Sequence, residues 1–411
     1  LKIKVHTQIF IAIIAGGIVG AILGPNAEHI KIVGDIFIRL LRMIIIPLIM
    51  ASMVSGIVSI GSGRNLGRIS LRTAIYYMAT TLLAVTVGLV LVNLIKPGVG
   101  VQLPAEQNAV NLQHTPPSAV SIISDIVPKN LFAAMADDKI LSVIFFSLLL
   151  GFAISSIGQK AKPIADIFDA FNEIMLKITG WIMHLAPFGV FALMAYTIGI
   201  IGLEVIKPLA LYMLTVIAGL LIHACLTLPV LLTVISRYSP FRLIQQMFSA
   251  VATAFSTASS AATLPITMDC LEKNVGVSKK VAGFVLPLGA TINMDGTALY
   301  EAVAAMFIAQ AYGIPITLPQ QIIIMLTATL ASIGAAAIPG AGLVTMVIVL
   351  KAVGLPLDGL VIILAVDRIL DMSRTAVNVW GDACGTVVIA HLENEITLQP
   401  SRNRHEANTK N

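Results

Sequence analysis

The chain has 411 residues, of which 57% are hydrophobic and only 11% charged, and its mean hydropathy is +0.93. A water-facing surface needs about a quarter charged residues, so these figures exclude a soluble enzyme, a nucleic-acid binder and a disordered regulator. The 26 Lys+Arg against 21 Asp+Glu give a formal net charge of +5, too small to imply an acidic partner and in keeping with basic loops facing anionic lipid.

Spans of roughly 20 mainly apolar residues are expected at about 7–25, 34–60, 73–96, 139–158, 178–201 and 209–236. The apolar run from Ile9 lacks a small-residue cleavage pattern and reads as a first span rather than a leader. Between 97 and 138 lies the longest polar stretch, with Pro104, Pro116, Pro117 and Pro128, read as a loop leading irregularly into the fourth helix. Lys2 and Lys4, then Arg64, Arg68 and Arg72, then Lys160 and Lys162, then Arg237 and Arg242 all fall on one side if the N-terminus is cytoplasmic. Cys225, Cys270 and Cys384 have no disulfide or metal spacing and are expected as free buried thiols.

Beyond 242 the grammar changes. Lys273, Lys279 and Lys280 belong on the same side as Arg242, yet only about 30 residues intervene, too few for two spans at 1.5 Å per residue. With TASSAATLP at 257–265 in its middle, a re-entrant hairpin over about 240–274 satisfies both length and charge. The segment 317–354 repeats the pattern with ASIGAAAIPGAG at 331–342 as its tip. A helix at about 279–313 separates the hairpins, another at about 356–391 follows, and a polar tail begins near 393, with Arg402 and Arg404 again cytoplasmic. Pro265 and Pro339 match in the two halves, and the hairpins open on opposite sides, so the repeat is inverted. Inverted repeats with broken helices are a feature of secondary transporters. The expected fold is an all-α membrane protein of eight transmembrane helices and two re-entrant hairpins.

Ionisable groups inside a span are costly unless paired or facing water. The last helix places Asp367, Asp371, Arg374, Asn378 and Asp382 at offsets 0, 4, 7, 11 and 15, an arc of about 80° at 100° per residue. A polar strip holding both signs suits a zwitterion with an extra charge of its own. PLGATINMDGTALYEA at 287–302 holds Gly289, Asn293, Asp295 and Gly296 where unwinding would free carbonyls. Oxygen donors without thiols or imidazoles suit hard cations. Tyr77, Thr80 and Thr81 add hydroxyls in the third span, whereas His114, His184 and His223 are expected to be structural or peripheral. Glu301, six residues after Asp295, is a buried carboxyl able to carry a proton, or else a permanently protonated hydrogen-bond donor.

NMDGT at 293–297, DMSRTAVNVWGD at 371–382 and the Ser-rich first hairpin tip resemble the glutamate/aspartate transporters, the dicarboxylate/amino acid:cation symporters, over nearly the whole chain. The resemblance implies an elevator-type homotrimer. Its scaffold would be residues 1–72 and 98–201; its transport domain would be 73–97 and 202–392, with 393–411 a cytoplasmic tail. It also implies that Arg374 holds the side-chain carboxylate of glutamate or aspartate and Asp371 the ammonium, with Asn378 and Ser260 on the α-carboxylate and Thr297, Thr375 and Gly342 completing the pocket. Sodium ions, as co-substrate rather than cofactor, would take Gly289, Asn293, Asn378 and Asp382 as one site. A second would use Thr291, Met294, Ser332, Ile333 and Ala335, and a third Tyr77, Thr80, Thr81, Asn293 and Asp295. The arginine that relatives carry in the first hairpin tip or directly after Asp371 is replaced by Ala258 and Met372, while Glu301 matches the mammalian carriers. Asp382 and Asp295 favour sodium, in a prokaryotic inner membrane with both termini cytoplasmic. The alternatives are a proton-coupled glutamate or C4-dicarboxylate symporter, or an anion channel.

Overall fold

The computed structural model describes residues 5–61, 67–101, 127–137, 139–202, 206–333 and 341–396. Helix α1 (Val5–Leu23) runs through a 3-10 turn into α2 (Lys31–Gly61). Then come α3 (Gly67–Ile95), the short α4 (Leu131–Ala136), α5 (Ile140–Ile157) and α6 (Lys162–Ile201). The sixth span divides into α7 (Ile206–Ile222), a π turn (His223–Thr227) and α8 (Leu228–Ser236). The remainder is α9 (Pro240–Thr257), α10 (Ser260–Asp269), α11 (Lys279–Ile292), α12 (Asp295–Ala311), α13 (Leu318–Ile333), α14 (Ala341–Ala352) and α15 (Leu360–Leu392). Among the described residues there is no strand, only an isolated bridge between Val277 and Ile396. Among the described residues four stretches are long and apolar enough to cross a bilayer: Ile11–Phe37, Arg68–Ile95, Ser142–Ile182 and Lys207–Ser236.

Two expectations need correction. The fifth helix begins at Lys162, not near 178, because 162–177 (KPIADIFDAFNEIMLK) is amphipathic rather than uniformly apolar. Ala165 and Phe168 pack against Val54, Ile154 and Ala161, while Asp166 is exposed and Asp169, also exposed, accepts from Ser55 Oγ of α2. A window that counts only apolar residues misses such a helix. Of the three free cysteines, Cys270 and Cys384 are buried, but Cys225 is exposed. It lies on the outer side of the π turn, and an outward face in this chain borders lipid, where a thiol fits as it would in a core.

Helices α1, α2, α5 and α6 pack on one another, whereas α3 and α7 to α14 pack around α15 and α12, with α2 touching α14 and α6 touching α15. Almost every side chain of α12 is buried, Asp295, Thr297 and Glu301 included. Its alanines admit close neighbours; a Cβ on Gly88 of α3 would lie 3.0 Å from Val303. Helices α9 and α10 pack against each other across a turn in which Ala258 takes a left-handed φ of 50°. Ser239 and Ser259 accept backbone N–H bonds at the two helix starts, the capping that orphaned N–H groups require.

Beyond its last turn, α15 is tied to two other elements. Arg68 Nη2 donates to Glu393 Oε2 at 2.6 Å and Arg72 Nη1 to Oε1 at 2.8 Å, while Ser278 N donates to the Glu395 carbonyl at 2.9 Å. The Arg68 hydrogen bond holds the Glu393 carboxyl below its ordinary range, with the charges of both arginines adding to it. A depressed carboxyl contributes stability that is present above its unfolded pKa and lost as pH falls through the folded one. Glu393→Gln is therefore expected to cost about 1 kcal/mol at neutral pH. Thermal unfolding in detergent should show that deficit fading below about pH 4.3, the ordinary glutamate value. An equal deficit at acid and neutral pH would count against the clamp.

Candidate functional site

The site begins with a helix break. Asn293 (φ −88°, ψ 90°) and Met294 (φ −120°, ψ 47°) leave helical geometry between α11 and α12. The break turns the Asn293 amide towards α15, where its Nδ2 donates to Asp382 Oδ1 at 2.9 Å and reaches the Asn378 carbonyl at 3.4 Å. Gly289 completes this group: a Cβ there would lie 2.5 Å from Asp382 Oδ1 and 2.7 Å from the Tyr77 hydroxyl. Gly289, Asn293, Asn378 and Asp382 are thus brought together.

Asp295 opens α12 and is fully buried. Its Oδ1 lies 3.2 Å from Thr80 Oγ1 and 2.6 Å from Thr81 Oγ1. Each hydroxyl also lies within reach of the Tyr77 carbonyl, at 3.1 and 2.8 Å. A hydroxyl carries one hydrogen, so two protons serve four acceptor contacts. The remaining oxygen–oxygen contacts are the surroundings a hard cation satisfies. The Tyr77 hydroxyl and Asn293 Oδ1 are buried without a hydrogen-bond partner nearby. Among the described residues no lysine or arginine pairs with Asp295 or Asp382.

The other sign gathers one turn away on α15. Arg374 is 1% exposed, its Nη2 bonded to Asp371 Oδ1 at 2.9 Å and Asp367 Oδ1 at 3.2 Å. Its Cζ sits 3.8 Å above the Tyr300 ring, and Tyr300 Oη donates to Asp367 Oδ1 at 2.8 Å. Nε and Nη1 have no hydrogen-bond partner. Gly342 admits the guanidinium closely, since a Cβ there would lie 2.5 Å from Nη1. Thr375 Oγ1 is used by the Asp371 carbonyl at 2.8 Å.

Asn378 joins the two halves. Its Oδ1 accepts from Gly296 N at 2.8 Å and its Nδ2 reaches Thr297 Oγ1 at 3.3 Å. Ser260 is buried in the first turn of α10, which packs on α15. Ser332 and Ile333 end α13, with Ile333 packed on Leu288 and Ile292 of α11. Met294 is buried and Thr291 exposed, its hydroxyl donating to the Leu288 carbonyl at 2.9 Å. Ala335 and His114 lie outside the described residues. Glu301 is fully buried, paired with Thr345, with Oε2 unpartnered.

With this geometry in view, the sodium:dicarboxylate symporter family model matches residues 5–392. The chain belongs to that family. It is a family of membrane transporters, not of enzymes. The chain is 38% identical to a proton/sodium-glutamate symport protein of Bacillus caldotenax over 406 residues, 96% of each chain. It is 40% identical to human excitatory amino acid transporter 3 over 411 residues, covering 87% of this chain and 78% of the relative.

The sequence does not single out Tyr300 or Thr345, and it leaves His223 without its partner. Expected to be structural or peripheral, His223 is fully buried with Nε2 3.1 Å from Asp295 Oδ2. Its signal was an ionisable side chain alone in an apolar span. The partner 72 residues away was not legible. His184 does stay at the periphery, exposed and bonded to the Gly180 carbonyl.

Gly289→Ala is expected to push Asp382 or Tyr77 aside, an overpacking of about 1–3 kcal/mol. The sodium concentration that half-saturates aspartate binding should rise about tenfold or more. Unchanged sodium dependence in the folded variant would remove Gly289 from the cation-binding group.

Proposed function

We propose that the chain is a secondary active symporter that carries an acidic amino acid, glutamate or aspartate, into the cell together with sodium ions. The observation that carries this reading is the pairing of opposite deficits across Asn378. On one side lie two buried carboxylates with no lysine or arginine paired to them among the described residues. On the other, a buried guanidinium keeps two N–H-bearing nitrogens unpartnered. Buried carboxylates without a positive partner are costly, so the first group calls for cations, while the open N–H groups of the second call for an acceptor such as a carboxylate. Arg374 takes the substrate's side-chain carboxylate, which its planar fork fits better than lysine could, and Asp371 takes the ammonium. Asn378 and the backbone at Ser260 take the α-carboxylate, with Thr297, Thr375 and Gly342 around it. Sodium occupies the Gly289–Asn293–Asn378–Asp382 group, the Tyr77–Thr80–Thr81–Asn293–Asp295 group and a third formed by backbone at Thr291, Met294, Ser332, Ile333 and Ala335.

The membrane arrangement belongs to the same proposal: eight transmembrane helices, two re-entrant hairpins, an inner membrane and cytoplasmic termini. Supporting it, α10 and α14 have 10 and 12 residues, about half of a 30 Å hydrocarbon layer at 1.5 Å per residue. The two packing groups of helices suit a trimeric scaffold (1–72 and 98–201) and a mobile transport domain (73–97 and 202–392) that moves as an elevator.

Uptake into proteoliposomes under sodium, proton and potassium gradients imposed one at a time is the direct test. Aspartate accumulation should require the sodium gradient, and Arg374→Ala should weaken acidic-substrate binding at least about 30-fold, since truncating one partner of a desolvated charge pair costs about 2–5 kcal/mol. Uptake driven by protons alone would move the assignment to a proton-coupled carrier, and flux that does not saturate would move it to a channel.

A proton as additional cargo is favoured by Glu301, fully buried with Oε2 unpartnered. On this reading it crosses protonated with the substrate. Substrate-driven proton flux should be present in the parent and absent in Glu301→Gln; equal flux in both would leave Glu301 a structural hydrogen-bonding group.

A further inference from the structure

We propose that His223 is a positioning residue of the Asp295 cation site, holding one carboxylate oxygen so that only the other is presented to sodium. The inference rests on reading Asp295 as a sodium ligand.

Asp295 Oδ2 lies 3.1 Å from His223 Nε2, and both side chains are fully buried. A carboxylate offers only lone pairs, so the hydrogen of that bond sits on Nε2. With Oδ2 occupied, Oδ1 is the oxygen left beside the hydroxyls of Thr80 and Thr81 and near the Tyr77 carbonyl. The imidazole therefore fixes the rotation of the carboxylate about its terminal bond. Outer partners of this kind orient the groups that touch a metal ion.

The chain reaches this contact by a local device. Pro229, near the start of α8, cannot donate to the carbonyl of residue 225, and the helix widens into the π turn His223–Thr227 just before it. Such bulges re-aim side chains and recur at functional sites. This one is anchored from α15, because Trp380 Nε1 donates to the Ala224 carbonyl at 3.0 Å, and it packs against α3, the helix that carries Thr80 and Thr81. Two elements, α15 and α3, therefore hold the turn that presents the imidazole to α12.

The test compares His223→Gln with His223→Met. The two replacements are close in length and volume, but only Gln keeps an N–H at the reach of Nε2. The readout is the sodium-dependent rise in unfolding temperature of purified protein in choline-balanced buffer without amino acid. An ion at concentration c that binds the folded state stabilises it by RT ln(1 + c/Kd), a gain that sets in near the dissociation constant. A purely structural role lowers the unfolding temperature equally at every sodium concentration. A positioning role moves the concentration at which stabilisation sets in. His223→Gln is expected within about threefold of the parent and His223→Met about 10–100-fold higher. Should the Met variant fail to fold, His223→Asn, whose amide is too short, supplies the same comparison. A folded Met or Asn variant matching the parent, or a Gln variant as impaired as Met, would overturn the inference alone. A parent that sodium does not stabilise at all would overturn the sodium reading of Asp295 along with it.

Discussion

Two carboxylates, Asp295 and Asp382, lie inside packed helices with no lysine or arginine paired to either among the described residues. Most of the arrangement around them follows from that constraint. An ionised carboxylate removed from water needs hydrogen bonds and an opposite charge. The chain supplies the first from Asn293, Thr80, Thr81 and His223. Among the described residues no lysine or arginine supplies the second. The break at Asn293–Met294 belongs to the same solution, because a continuous helix would carry the Asn293 amide out of reach of Asp382. Gly289 does too, since a side chain there would displace the carboxylate it faces.

Arg374 is the inverse case. It is paired with Asp367 and Asp371 on its own helix, and Tyr300 both stacks beneath it and holds Asp367. The guanidinium is thereby kept in place while two of its nitrogens stay unpartnered. Such preorganisation is bought with the strain of placing three ionised groups in a dry interior. It also explains the glycine at 342, where any side chain would cover the open edge.

The parts legible in the sequence were those carried by one element at a time. The polar strip of α15 follows from helical period, and all five of its members are buried on one face. The chain breaks near 258 and 293 follow from small residues, glycine and proline within apolar runs. Contacts between distant elements were not legible. Nothing at Tyr300 announces its position under Arg374, and Thr345 is indistinguishable by composition from hydroxyls that merely bond their own helix. The start of α6 was missed because an amphipathic turn with outward carboxylates looks like a loop to a hydropathy window. His223 was underrated because its environment depends on a π turn, which shifts a side chain's bearing without altering composition.

Asn378 gives the proposed coupling a physical route. Its side-chain oxygen accepts from Gly296 N in the first turn of α12, its amide nitrogen reaches Thr297, and its carbonyl faces Asn293. One residue of α15 thus touches the helix break that shapes the cation group and stands one turn from Arg374. On the proposed assignment, sodium that draws the break closed would carry Gly296 and Thr297 with it, and Asn378 would follow into the geometry proposed to meet the α-carboxylate. Linkage requires the reverse with equal strength: a substrate that orders Asn378 must raise sodium affinity by the same factor that sodium raises its own. The coupling then needs no long-range pathway. It needs only that two sites of opposite charge share one asparagine, and that neither arrangement is satisfied until both are filled.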